Sequence, residues 1–387
     1  MLYTFLALAH TALLLGYLRG ARVRLRRRAC RWAWPKLFAA SLAANLVLIG
    51  PTLVFRTGAL VPSAATALSD LGGAYKKTNE LRATGTPLAE YGRIAAAPVL
   101  SWLMPLTIYF WKRLGVIRRV LATGTIAITL YVWIVLGTNK GLADAVLVVP
   151  AVLVASYLSG RSIVRRCRLV AGAILVVAMV IGFFAFFSAA IVSRLGGESA
   201  VDTFAPLGIE ATEDNWALRL VPAAAVPGVK SLLTYTGQGY YALALALDEP
   251  FVPTWGVGHS FATIRQAERV LGEGRVSSRT YPFRLEERGW DAWGLWASIY
   301  PWIASDVGFA GSLVVVAWIG YGMARAWREA IDTHNPLAVC MCAQFVIMVS
   351  YFPANNQVFQ TLEPAAAFVG TALLWRFARS PRLRRTR

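Results

Sequence analysis

The chain alternates long apolar runs with short charged connections. Runs of about 17–24 residues, enough to cross a hydrocarbon layer ~30 Å thick, fall at 2–18, 37–55, 95–111, 120–137, 142–159, 169–192, 303–323, 336–353 and 362–377. They predict nine spanning helices and an all-α polytopic membrane protein. Residues 63–82 also read as helix, setting Asp70, Lys76, Lys77 and Glu80 against Ala64, Leu68, Leu71 and Tyr75. The stretch 217–247 is apolar but carries Pro222, Pro227, Lys230 and Gly239. That pattern fits a helix lying across the outer surface, or a re-entrant pair buried in protein, better than a straight lipid-facing span. No basic residue precedes the first apolar run and a basic cluster follows it, so residues 2–18 read as a retained span and not a cleaved leader. No internal repeat is evident, which weighs against transporters built from inverted halves.

Composition narrows the class. Of 387 residues, 57% are hydrophobic and only 15% charged, against roughly half and a quarter in soluble domains. A soluble enzyme, a disordered tail and a small disulfide scaffold are excluded. The net charge of +19 would suit nucleic acid, but its distribution gives another explanation. The connections 19–36, 112–119, 161–168, 324–335 and the tail 376–387 hold 24 basic and 2 acidic residues, so they carry +22 and the rest of the chain −3. Lys and Arg in short loops mark the cytoplasmic side. The N-terminus is therefore expected outside and the C-terminus inside, with anionic lipid as the partner of the positive face. Three parts follow: a six-span bundle over 1–192, a large outer loop over 193–302, and a three-span bundle with a basic tail over 303–387. Cys30 and Cys167 fall in Arg-rich connections and Cys340 and Cys342 in an apolar run; without a CxxC there is no support for a zinc site or a redox pair.

Candidate chemistry concentrates in the outer loop, which is too long for a linker. Its rings include Tyr240, Trp255, Tyr281 and Trp290. Such flat amphipathic faces bind sugars, or form an aromatic belt at the membrane surface. Trp290, Trp293 and Trp296 recur every three residues, which predicts one helical stripe. Arg265, Arg269, Arg275, Arg279, Arg284 and Arg288 follow His259 in GVGHSF. Arginine holds phosphate with a planar, permanently charged fork; alternatively Arg284 and Arg288 pair with Glu286, Glu287 and Asp291 on a solvated face. Lys140 and Asp144 in TNKGLAD stand one helical turn apart at the end of the fifth run. Charges there mark function by default, or form a simple i,i+4 pair. Asp306 in SDVGFAG is either an acidic functional group or a helix N-cap. His259 is either a general base or an exposed loop histidine. His10 and His334 lie in a span and a cytoplasmic loop. The sequence has no Walker loop, HExxH or GxSxG. There is no DxD, and Asp202, Asp214, Asp248 and Asp291 stand apart, so no metal site is expected.

The order of these segments resembles Wzy-type O-antigen polymerases, the oligosaccharide repeat-unit polymerases of bacterial surface glycans. LLTYTGQGYYALALAL, then WGVGHSFATIRQAERVLG, then IYPWIASDVGFAGSLVVVAWIGYG resemble the family's tyrosine-bearing helix, Gly-centred turn and helix, aromatic stretch and acidic-plus-glycine span opening. That opening is Asp306-Val-Gly-Phe-Ala-Gly311 here, with Val307 where Phe is usual. GTNKGL resembles the family's basic turn with Lys140 in place of Arg, and LSDLGGAYKKTNELRATG resembles the segment between early spans. The resemblance implies a GT-C-like fold in a bacterial cytoplasmic membrane. It implies metal-independent, cofactor-free transfer of a glycan from undecaprenyl pyrophosphate to another lipid-linked repeat unit, with a chain-length regulator as a further partner. In that chemistry His259 or Asp306 would take the acceptor proton. Lys140, Arg265, Arg279, Arg284 and Arg288 would hold the pyrophosphate, and Tyr240, Trp255, Tyr281 and Trp290 the sugars. An O-antigen ligase is the nearest alternative, since ligases carry an outer-loop histidine. Here about 40 residues separate His259 from the seventh span, farther than ligases usually place it. A non-enzymatic glycolipid exporter is a third reading.

Overall fold

A computed structural model describes residues 1–25, 33–84, 88–160, 169–197 and 215–377, and Gly208. Cys30, Cys167, Asp202, Asp214 and the tail beyond 377 lie outside the described residues. Within them the chain is helical, with no strand. The helices are α1 (Leu2–Arg22), α2 (Trp34–Thr57), α3 (Ala64–Ser69), α4 (Leu71–Thr84), α5 (Leu88–Ser101), α6 (Leu103–Tyr109), α7 (Val116–Val135), α8 (Lys140–Leu158) and α9 (Leu169–Leu195). After the first part of the large loop come α10 (Trp216–Arg219), α11 (Val226–Ala246), α12 (Phe261–Leu271), α13 (Tyr281–Arg284), α14 (Ile299–Arg328), α15 (Pro336–Ser350) and α16 (Leu362–Phe377).

Six helices among the described residues are long and apolar enough to cross a membrane: α1, α2, α7, α8, α9 from Gly172, and α14 with its continuation to Thr333. The protein is an all-α, multi-pass membrane protein. The other three expected spans take different forms. Residues 95–111 are divided between α5 and α6. Pro98 and Pro105 each remove a backbone donor, and Trp102 between the two helices is buried and donates its indole N–H to Thr371 at 2.9 Å. The run 336–353 forms the 15-residue α15 and 362–377 the 16-residue α16, both shorter than the ~20 residues of a full crossing.

Local chemistry explains the remaining boundaries. The helical stretch 63–82 breaks at Asp70, whose carboxylate accepts from the Gly73 N–H at 2.8 Å. Residues 226–246 form one continuous helix and not a re-entrant pair. Pro227 sits in the first turn, where its missing N–H costs nothing. The helix packs on α9, with the Gly228 N–H on Ser188 Oγ at 2.8 Å. The longest packing seam joins α1 to α14. A side chain at Gly16 would overlap the Ala317 backbone, and one at Gly320 the Leu13 backbone. Small residues thus let these two helices approach closely, the usual way to gain dispersion contact where lipid supplies no hydrophobic drive. The expected Trp stripe is not a helix. Gly289 at φ 81° ends the turn before it, and Asp291 accepts from the Trp293 N–H at 2.9 Å. The three rings consequently diverge: Trp290 is buried, Trp293 is exposed and Trp296 stacks on Tyr235 at 4.9 Å.

Candidate functional site

The site is assembled where the loop 247–260 crosses α14. Inside α14, Gly308 takes φ 70° and ψ 169°, a conformation open to glycine alone. The helix therefore breaks just after Asp306. Asp306 is not an N-cap, because the helix has already begun behind Ser298. Its carboxylate has three partners. Oδ1 accepts from the Thr254 hydroxyl and from the Gly258 N–H at 2.8 Å, and Oδ2 lies 2.8 Å from His259 Nδ1. Thr254 is fully buried, so its bond to Asp306 is shielded from water.

The pairing decides the histidine's tautomer. A carboxylate only accepts, so in the neutral ring Nδ1 carries the proton and Nε2 presents a lone pair. Nε2 makes no hydrogen bond among the described residues, and the His259 side chain is 30% exposed against 8% for Asp306. The ring is fixed from two further directions. Phe359 meets it edge-on at 5.7 Å, and Asn356 Nδ2 donates to the His259 carbonyl at 2.8 Å. A histidine oriented by a buried carboxylate, with its far nitrogen open, is built to take a proton. The sequence named both residues separately; the structure joins them.

Of the loop arginines, Arg279 is nearest this strand of chain. Its Nε donates to the Pro253 carbonyl at 2.9 Å and its guanidinium lies 4.3 Å over the Trp255 ring. Trp255 is 66% exposed, with φ 54°. Arg284 and Arg288 pair neither with Glu286 nor with Glu287 or Asp291. Both bind Glu249, at 2.8 and 2.5 Å, and Arg284 also donates to the Pro250 carbonyl at 2.6 Å. They fasten the start of the loop. Arg265 lies over Trp293 at 5.5 Å. The Tyr281 and Trp290 rings are buried in one apolar cluster, which corrects their expected role, since no face is left for a sugar. Burial holds the Tyr281 hydroxyl above the ordinary phenol value, against the pull of Arg284. Tyr240 is half-buried beside a second cluster. Trp255 is thus the exposed ring of the four.

Lys140 reaches the same region from the other side. Its Nζ lies 3.8 Å from Asp144 and 3.4 Å from the Gln357 carbonyl, next to the Asn356 that holds His259. Around it, Asn139 Oδ1, Asn356 Oδ1, Gln357 Oε1 and Arg194 Nε are buried without a hydrogen-bond partner. Sequence reading missed Arg194, which closes α9, donates to the Gly137 carbonyl and lies 4.2 Å over Tyr75. No carboxylate pairs with it among the described residues. A basic residue at the end of a strongly apolar run was the signal available. It also missed a buried network at the same end of the bundle: Arg56 binds Glu90 at 3.2 Å and Glu363 at 2.6 Å, and Arg93 binds the other oxygen of Glu363.

Comparison with protein-family models, with curated proteins and with solved structures finds no match to the chain.

Proposed function

We propose that this protein polymerises undecaprenyl-pyrophosphate-linked oligosaccharide repeat units at the outer face of a bacterial cytoplasmic membrane, as a Wzy-type polymerase. The carrying observation is the 2.8 Å contact between His259 Nδ1 and Asp306, which leaves Nε2 open. In this reading Nε2 takes the proton of the acceptor sugar hydroxyl as that oxygen attacks the anomeric carbon of the donor glycan. The bond from that carbon to the pyrophosphate oxygen breaks, and the departing pyrophosphate keeps the electron pair. Lys140 and Arg279 supply fixed positive charge to it without a metal. Trp255, lying under Arg279, offers the sugar-stacking face. Asp306 stabilises the imidazolium that forms.

The charge asymmetry supports an N-terminus outside and a cytoplasmic C-terminus. Counting the divided α5–α6 pair, α15 and α16 as crossings gives the nine spans. The large loop and the helix ends around His259 then share the outer side, where lipid-linked glycans are handled and nucleotide donors are absent.

The same contact supports a second reading, ligase-like transfer of a finished glycan to another acceptor. Folding brings His259 onto α14, so the 40-residue separation in sequence no longer weighs against that reading. The test for both is the purified protein in lipid with a synthetic undecaprenyl-pyrophosphate oligosaccharide, with and without EDTA, read by product mass. A ladder of repeat units, unchanged by chelator, supports the polymerase. A single transfer to a different acceptor selects the ligase, and transport without bond formation would overturn both.

A further inference from the structure

The opposite end of the bundle carries a second feature, which the reaction does not use. Between the turn Trp111–Arg113 and the end of α8 lies a cavity of about 170 Å³ lined by Tyr109, Phe110, Lys112, Arg113 and Gly160. Its floor is aromatic and rigid: Tyr109 and Phe110 are each 1% exposed, and Phe110 stacks on Trp34 at 4.7 Å. Its rim is cationic. Lys112 and Arg113 are exposed and have no carboxylate partner among the described residues. The sequence holds no acidic residue between Glu90 and Asp144, so nothing on this stretch of chain neutralises them.

We propose that this cleft binds the phosphate headgroup of an anionic phospholipid. Two cations over an aromatic floor attract a phosphate from any source. The surroundings select a lipid. Immediately after the cationic turn, Val116 and Ile117 on α7 are 74% and 76% exposed, and Leu158 at the end of α8 is 55% exposed. In a multi-pass membrane protein these aliphatic side chains face hydrocarbon, so acyl chains can run along them while the headgroup sits at the cations. Basic pockets at helix ends are the recurring form of such lipid sites. The proposal does not depend on the reaction assigned above.

The test is native mass spectrometry of the full chain in detergent, titrated with phosphatidylglycerol, phosphatidylcholine or inorganic phosphate. One phosphatidylglycerol is expected to bind ahead of phosphatidylcholine. Lys112→Gln with Arg113→Gln should weaken it about 25-fold, at roughly fivefold per charge. Arg19→Gln with Arg22→Gln, exposed at the same end of the bundle, should leave it within about twofold, since these charges lie off the cleft. Both pairs are on the surface, and a thermal melt confirms that each variant folds. Equal losses in the two double variants would reduce the effect to diffuse attraction and overturn the site. Millimolar inorganic phosphate binding in its own right and displacing the lipid would overturn the lipid assignment.

Discussion

Lys140 and His259 are held by consecutive residues of one loop. The Gln357 carbonyl accepts from Lys140 at 3.4 Å, and the Asn356 side chain donates to the His259 carbonyl at 2.8 Å. Through this loop, a cation at the start of α8 and a base at the start of α12 have a fixed relation although 119 positions separate them. In the proposed reaction the two act on opposite ends of one bond-breaking event, one on the leaving group and one on the attacking hydroxyl. A shared, rigid mount is what keeps such groups in register.

The first prediction concerns the base. His259→Ala should lower turnover by ~10²–10⁴-fold, the usual contribution of a positioned general base. Asp306→Asn should also be severe, by a different route. The amide would keep an oxygen for Thr254 and Gly258 and turn its NH₂ toward His259, so Nδ1 would have to accept and Nε2 would carry the proton. The imidazole would then be the wrong tautomer for a base. Product formed per folded molecule is the measurement, and an Asp306→Asn enzyme of normal activity would sink the orienting role.

A second prediction separates the cations. Lys140→Ala and Arg279→Ala should each slow turnover by ~10²-fold, as loss of a charge at the leaving group does. Arg288→Ala should change turnover little. Its partner Glu249 keeps Arg284, and Arg288 itself is 40% exposed, so the pair contributes ~0–1 kcal/mol. Polymer length and folded protein, measured together in all three variants, test the division. Equal losses across the three would mean that the pairing of Arg288 with Glu249 does not set it apart from Lys140 and Arg279.

The spans were legible because lipid imposes a simple rule of length and apolarity, and α1, α2, α7, α8, α9 and α14 obey it. The division at Trp102 was not, since it depends on an indole reaching Thr371 on a distant helix. The Trp290 periodicity misled for the opposite reason: spacing of three implies helix only where the backbone stays helical, and here Gly289 turns the chain just before Trp290 while Asp291 accepts from the Trp293 N–H. Among the chemistry-bearing residues, type was readable and partnership was not. His259 and Asp306 could be named individually, yet nothing in the sequence says that the chain folds back over 47 positions to join them. Glu249 lies 35 positions before Arg284, while three nearer acids offered themselves. Arg56 and Glu363 are farther apart still, at 307 positions.

That Arg56 pair gives a third prediction. Glu363 accepts from both Arg56 and Arg93, and the Arg56 side chain is only 5% exposed. Glu363→Gln therefore leaves one deeply buried guanidinium with Glu90 alone. Removing one partner of a buried pair costs ~3–5 kcal/mol. The variant should melt well below the parent in detergent, while molecules that remain folded keep their activity. Arg93→Gln should be milder, because Arg56 then still neutralises Glu363. Thermal unfolding of the two variants decides it, and an Arg93→Gln protein less stable than Glu363→Gln would reverse the assignment.

The last prediction is the orientation on which the proposed chemistry depends. The Arg-rich connections carry +22 and the remainder −3, and positive charge resists translocation. The cleft at Lys112 should therefore lie in the cytoplasm and the loop bearing His259 outside. Single cysteines placed in a chain with Cys30 and Cys167 changed to Ser report this directly. Cys340 and Cys342 can stay, because both are buried. Ser278 is the position of choice in the loop. It is exposed, whereas the neighbouring Ser277 is buried and donates to Glu268 at 2.7 Å. A cysteine at Ser278 should react with a membrane-impermeant thiol reagent in intact cells, and one at Lys112 only after lysis. The opposite pattern would put His259 and Asp306 on the cytoplasmic side, away from any translocated lipid-linked glycan, and the polymerase reading would fall with it.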